Sequence, residues 1–463
     1  MKKTKPQNKK RRATPSAQPK ALINPTLRAD AAGIDIGSAE FVVALPPGRC
    51  ERWVRTFESF TSGVIALRDW LVANGIKTVA MESTGNYWIT LYDTLCASDI
   101  DVFLVNARHV KGVPGRKTDA CDAQWLQQLH AAGLVKKSFR PAQDIVPIRF
   151  LMRHRAELVG DAAKQLHLMQ KTLTELNLKI HHVFSDIDGV SAQAIIDAIL
   201  AGERDAVKLA ALRDCRCRSS VEKIVEALNG SYREEYLFVL QQSQQSWRAI
   251  QKAILECDTK LGELIAKVES TVSDPIPSAP KKQHKLGKNA AHISGGVFAA
   301  GWKFYKVDLS SCPGVSAGLI STLMSEVGTR DHLLSSFRSP AAFASWLGLN
   351  PDNRITGGKV LSAKTRKVKC RLAGAFRLAA FGLQHSESEM GHLLRRMKAR
   401  LGKAEGITAT AHKLARVVYG MIQAQQSYDE KTAFQPSPKA TQRRLKALQK
   451  QAAALGLTLA PAA

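Results

Sequence analysis

The sequence predicts an α/β domain followed by a longer, mainly helical region, an α/β + α chain. Three observations predict it. Strand-like and helix-like stretches alternate through residues 30–144, charged helical periodicity takes over near 145, and a Pro- and Lys-rich segment interrupts it at 273–289. Taken in order, "AAGIDIGSAEFVVALPP" alternates, is rich in β-branched residues and stops at Pro-Pro, with "RCERWVRTFES" at hairpin distance. "TSGVIALRDWLVANG" has a Thr N-cap, apolar residues at helical spacing and a terminal Gly. "KTVAMEST" and "DVFLVNA" are short strands on either side of the helix "NYWITLYDTLCASD", and "TDACDAQWLQQLHAAGL" is a capped helix. Together they make a mixed sheet with helices packed on it.

Residues 145–272 are helical and charged. "RFLMRHRAELVGDAAKQLHLMQKTLTELNLKIHHVF" and "SWRAIQKAILECDTKLGELIAKVES" carry apolar residues at three- and four-residue spacing, which predicts a long antiparallel helix pair with 184–240 as a smaller helical insert. A linker is expected at 273–305 and a second helical domain at 306–430, where "RLAGAFRLAAFGL" reads as a core helix with its arginines at the edge. The basic, acid-free stretch 1–29 is expected as a disordered arm and the acid-free end 431–463 as a basic tail.

Charge narrows the function. The 463 residues hold 67 Lys+Arg against 40 Asp+Glu, a net charge of +27. Such an excess repels itself unless a polyanion neutralises it, so nucleic acid is the expected partner. A basic membrane-surface protein is the competing class. No apolar run approaches the ~18–20 residues that span a bilayer, and "MKKTKPQNKKRRATPSAQPK" lacks the apolar stretch of a signal peptide. A cytoplasmic location, at the nucleoid when DNA is bound, follows as an expectation. Eight scattered cysteines, "CRC" at 215–217 included, lack zinc-site spacing and are expected as reduced thiols.

Four carboxylates stand out in the first domain. Asp35 lies inside the strand "GIDIGS", Glu82 ends the strand "AMEST", and Asp119 and Asp122 are three apart in "TDACDAQ". Three-residue spacing puts two helical side chains on one face, with Cβ atoms roughly 5–6 Å apart. Singly, each has an ordinary explanation: a helix-capping pair, an Asx turn, a strand-end charge. Jointly, four carboxylates on one sheet edge suit a hard, oxygen-preferring cation, Mg²⁺ rather than zinc, and two such ions can drive phosphodiester cleavage.

In the second helical domain, "LSSCPGVSAGLISTLMSEVG" places Pro313 and Gly314 between two apolar pieces, as in a helix–hairpin–helix whose backbone N–H groups grip a phosphate. An ordinary helical turn is the alternative. "DNRITGGKVLS" sets Thr356 before Gly357 and Gly358, which would let a phosphate backbone approach closely. Lys359, Lys364, Arg366, Lys367, Lys369 and Arg371 follow as candidate DNA-binding cations. His385 and His412 are proton carriers by type but read better as surface or capping residues. Phe376 and Tyr419 read as core.

The blocks "GIDIGSAEFVVAL", "MESTGNYW" and "GRKTDACDAQWLQQL" resemble the DEDD motifs of the IS-one-hundred-ten type of bacterial insertion-sequence transposases, which includes the Piv invertases. "CPGVSAGLISTLMSEVG", "FASWLGLNPDNRITGGK" and "ATAHKLARVVYG" resemble that family's C-terminal domain, with wording similar to its IS-eleven-eleven subgroup. The resemblance implies a RuvC-like, ribonuclease-H-type fold with its tetrad at Asp35, Glu82, Asp119 and Asp122, and a coiled-coil middle. It implies a C-terminal domain whose serine joins covalently to DNA, a guiding noncoding RNA for donor and target DNA, and a homodimer or homotetramer in which one chain completes another's site. This chain departs from the pattern in one place: the serine's position holds Thr356, whose secondary hydroxyl is more crowded yet still a competent nucleophile when assisted. Ser362 is the alternative alcohol. The rival functions are a junction-resolving nuclease using metal-activated water alone, and a non-catalytic nucleic-acid-binding descendant.

Overall fold

The computed structural model describes residues 27–83, 85–106, 119–268, 286–287, 289–357, 359–366, 368–435 and 438–457. The chain divides into two compact units, residues 1–140 and 141–463.

The first unit is a mixed five-stranded sheet. Its strands are β1 (Ala31–Ile36), β2 (Glu40–Ala44), β3 (Val54–Glu58), β4 (Thr78–Glu82) and β5 (Asp101–Val105), in the order β3-β2-β1-β4-β5. β1, β2 and β3 form an antiparallel meander, whereas β4 and β5 join β1 in parallel. Each parallel connection runs through a helix, α1 (Thr61–Ala73) and then α2 (Trp88–Cys96). Period-two alternation sorts the side chains to two faces. Ala32, Ile34, Ile36, Val79, Met81, Val102 and Leu104 pack under α1 and α2 with Val64, Leu67, Leu71, Leu91 and Leu95. The other face carries Ala80, Phe103 and Val105 against Leu126, and Val42 and Ala44 against Ala123, all beneath helix α3 (Asp119–Ala131).

The second unit is built on two long helices, α4 (Val146–Glu175) and α9 (Glu234–Lys267). Buried Ile148, Arg155, Ala162 and Met169 recur every seven residues on α4, and Leu240, Ile254 and Leu261 keep multiples of seven on α9, a coiled-coil seam. Between them, α5 (Ile180–Val183), α6 (Val190–Leu200), α7 (Ala206–Ala211) and α8 (Val221–Ala227) close a small core of their own on Leu173 and Leu240. One seam layer is ionic. Arg155, almost fully buried, reaches Asp258 at 2.5 and 3.1 Å and donates two further hydrogen bonds to the carbonyls of Asn289 and Ala290, clipping that segment of chain to the pair. Removing one partner of such a pair strands a buried charge, so Arg155→Ala is expected to cost about 3–5 kcal/mol in urea unfolding. The double variant Arg155→Met with Asp258→Leu should recover most of it.

Beyond the seam come α10 (Val297–Tyr305), α11 (Ala317–Val327), α12 (Arg330–Ser336), α13 (Pro340–Trp346), a hairpin of β6 (Arg354–Thr356) and β7 (Lys359–Ser362), α14 (Arg371–Gly382), α15 (Glu389–Leu401), α16 (Lys403–Ala424), α17 (Glu430–Phe434) and α18 (Pro438–Ala454). Glu326 on α11 is buried and takes Arg149 and Arg153 of α4 at 3.0 and 2.8 Å. Phe343, Phe376 and Tyr419 form an aromatic centre, as expected for the latter two.

Three expectations change. The supposed linker 273–305 ends in helix α10, with Val297, Ala300, Phe304 and Tyr305 buried, because its apolar residues lie on one helical face; residues 269–285 and 288 lie outside the described set. The acid-free end from 431 holds helices α17 and α18. Helix α14 buries Leu372, Ala373, Phe376, Ala379 and Ala380 but leaves Leu378 and Phe381 in solvent. All eight cysteines are free, and among the described residues no helix is long and apolar enough to cross a membrane.

Candidate active site

Gly33 positions the carboxylate edge. A Cβ at this residue would stand 2.3 Å from the backbone nitrogen of Gln127 and 2.4 Å from the carbonyl oxygen of Ala123. Only a glycine lets α3 lie so close on β1, which is the usual meaning of a lone glycine inside a strand. Gln127 fixes the direction, since its Nε2 donates to the Ala31 carbonyl at 3.1 Å. Gln127 therefore lies beside the start of β1 and Ala123 beside its middle. The first turn of α3, with Asp119 and Asp122, points toward the strand's C-terminal end.

Asp35 and Glu82 stand at that same end. Ile34 and Met81 are paired across β1 and β4, and Asp35 and Glu82 follow them by one residue. Both lie two positions beyond a residue of the α3 face, Gly33 and Ala80 respectively. They are half-buried, whereas Asp122 is exposed. Asp119 begins α3, and its side chain lies outside the described set. Four carboxylates offer oxygen donors only, the chemistry Mg²⁺ prefers. Among the described residues no three His, Cys, Asp or Glu side chains form a group that could hold a metal ion.

The opposite end of the sheet is locked by a buried histidine. His130 Nε2 lies 2.8 Å from Thr78 Oγ1, and that hydroxyl itself donates to the Asp101 carbonyl. The ring must therefore donate from Nε2, leaving Nδ1 to accept from Arg28 at 3.0 Å. Burial and the neighbouring Arg28 guanidinium push the His130 pKa down from 6.5 to about 4. The neutral ring thus favours the folded state, fully above pH ~6.5, and the contribution is lost as pH falls toward 4, an effect of about 3 kcal/mol. Urea unfolding at pH 7 and 4.5 should show this loss, and His130→Gln should remove that part of the pH dependence.

In the second unit, Thr356 is exposed at the tip of the β6–β7 hairpin. Thr356 pairs with Lys359 across a two-residue turn, so their side chains share one face of the ribbon. Gly357 adopts φ +54°, which the tightest hairpin turns require, so the turn by itself explains this glycine. Pro351 bridges Thr365, and Arg366 donates to the Ser345 carbonyl, tying the hairpin's base to α13's end. Ser362 is half-buried on β7, while Lys359, Lys364, Arg366, Lys369 and Arg371 are exposed. Gly358 and Lys367 lie outside the described residues.

Gly314 has φ +87°, and a Cβ there would stand 3.1 Å from the Ala379 carbonyl and the Leu383 side chain. Packing against α14 thus accounts for it, and Ser316 caps α11 by accepting from the Leu319 N–H. His385 is exposed in a short turn after α14. His412 is half-buried, its pKa lowered by burial and by Arg416 and Lys413. Sequence reasoning did not single out Gly33, Gln127 or His130. The glycine inside a β-branched run was the available signal for the first.

Two family models match the chain. A transposase model of the DEDD, IS110 type covers residues 32–178. A model described as transposase, IS116/IS110/IS902 family, covers residues 308–390, which include the hairpin and α14. None of the curated proteins compared with the chain matches it.

Proposed function

We propose that this chain, which belongs to the IS110 family of DEDD transposases, cuts and rejoins DNA through a carboxylate tetrad and a threonine nucleophile, guided by an element-encoded RNA. The observation that carries the proposal is the convergence of the start of α3 on the ends of β1 and β4, which supports a ribonuclease-H-type, RuvC-like site. Asp35, Glu82, Asp119 and Asp122 would hold Mg²⁺, two ions being the expected load, and the metal supplies Lewis acidity at the scissile phosphate. Thr356 Oγ1 replaces one ester oxygen on phosphorus and loses its proton to solvent, while the freed sugar oxygen gains one. A second strand's hydroxyl later reverses the exchange, so the phosphodiester energy is conserved. Lys359, beside Thr356 on the ribbon, favours the hydroxyl's ionised form and offsets charge on the phosphate oxygens. The remaining exposed cations hold DNA and RNA backbones, and a homodimer or homotetramer supplies the complete set of sites.

The test uses the full chain, RNA transcribed from the element's flanking stretch, element-end DNA and Mg²⁺, with strand products sequenced. Joined donor and target strands, formed only with RNA and Mg²⁺, are expected. Cut but unjoined strands would assign the nuclease alternative, and no cutting the non-catalytic one.

A further inference from the structure

The basic stretch that carries Thr356 also exposes apolar side chains for which strand transfer has no use. From 353 to 377 the chain has eight Lys/Arg and no Asp/Glu. Within and just beyond it Ile355, Leu361, Val368, Leu378 and Phe381 are exposed, Leu378 at 72% and Phe381 at 45%. On α14 the open residues form one row at three- and four-residue spacing: Arg371, Gly374, Leu378 and Phe381, continued by His385. A Cβ on Gly374 would meet nothing within 4 Å, so none of the described residues stands over that point of the row. Single exposed leucines are ordinary. An apolar pair on an open helical row, preceded by exposed Arg371 and half-buried Arg377 in an acid-free run, combines two chemistries.

Charge selects the occupant. A second copy would have to set an acidic segment of its own against this acid-free face, whereas every stretch of a polyanion is drawn to it. Phosphates alone engage cations and leave Leu378 and Phe381 in water. Base faces, once unstacked, would cover both. We propose that this face of α14 is a wedge that unstacks DNA: Leu378 and Phe381 enter between base steps while Arg371 and Arg377 hold the flanking phosphates. Arg371 also touches Glu157 at 3.4 Å, an exposed pair that solvent screens and DNA can displace. The wedge rests on the DNA-processing function proposed above and adds to it a distortion of the strand to be cut.

The experiment titrates the full chain, with and without element RNA, into end-mimic duplexes carrying 2-aminopurine at successive positions. A severalfold rise in fluorescence at one or two adjacent positions is expected with the wild-type chain. Leu378→Ala with Phe381→Ala should abolish the rise while changing duplex affinity by less than about threefold, and Leu378→Met with Phe381→Trp should keep it. Arg371→Gln with Arg377→Gln should weaken binding itself. An undiminished rise in the alanine variant overturns the wedge. So does an alanine variant whose only change is a smaller sedimenting species, which would make the face a contact between copies. Failure of the wild-type chain to bind any duplex overturns the proposed function together with the wedge.

Discussion

Asp35→Asn is expected to lower strand cutting by roughly a thousandfold or more, with the chain still folded. The asparagine keeps the shape of the side chain at the end of β1 and removes its charge. A thousandfold in rate is about 4 kcal/mol, the scale on which a metal stabilises a transferring phosphoryl group. The control is Asp101→Asn, at the opposite end of the sheet, where Asp101 begins β5 and pairs with Lys137 at 2.7 Å on the surface. That change should leave cutting within about twofold, since exposed pairs contribute little. Single-turnover cleavage of an end-mimic duplex with Mg²⁺ reads both. Near-wild-type cutting by Asp35→Asn would remove this carboxylate from the site.

Gly33→Val should also abolish cutting, although residue 33 has no chemistry of its own. Even the first side-chain atom collides with backbone of α3, at 2.3 and 2.4 Å, and backbone cannot rotate away as a side chain can. The helix must slide or tilt, and its first turn, bearing Asp119 and Asp122, moves with it. Overpacking of this kind costs about 1–3 kcal/mol of stability. A displacement of even ~1 Å at a reacting centre can cost on the order of a hundredfold in rate. Urea melts and cleavage rates on the same preparation separate the two effects. A folded variant with unimpaired cutting would show that the placement of α3 does not matter.

Much of this was legible in the sequence, and for definite reasons. Alternation in "GIDIGSAEFVVAL" and the buried runs "TVAM" and "DVFLV" mark the sheet because strand side chains repeat every second residue. The long helices declared themselves through apolar residues at three- and four-residue spacing. Less visible were features that depend on contacts distant in sequence. The ionic layer of Arg155 and Asp258 joins residues 103 apart, and nothing local in either helix announces the partner. His130 looked like any helical histidine until Thr78 and Arg28 were brought to its two nitrogens. The exposure of Leu378 and Phe381 was hidden by their apolar character, which reads as core from sequence alone. The candidate carboxylates were found by residue type and motif, whereas the glycine and glutamine that set α3 on the sheet emerged from packing.

In the proposed function, DNA passes through a covalent link to Thr356. The most direct measurement is a detergent-stable protein–DNA adduct trapped on nicked end-mimic DNA with Mg²⁺, digested and located by mass spectrometry. A phosphodiester link on Thr356, absent from Thr356→Val and present in Thr356→Ser, is the predicted result. Joining by Thr356→Val at the wild-type rate, or an adduct that maps to Ser362, would contradict it.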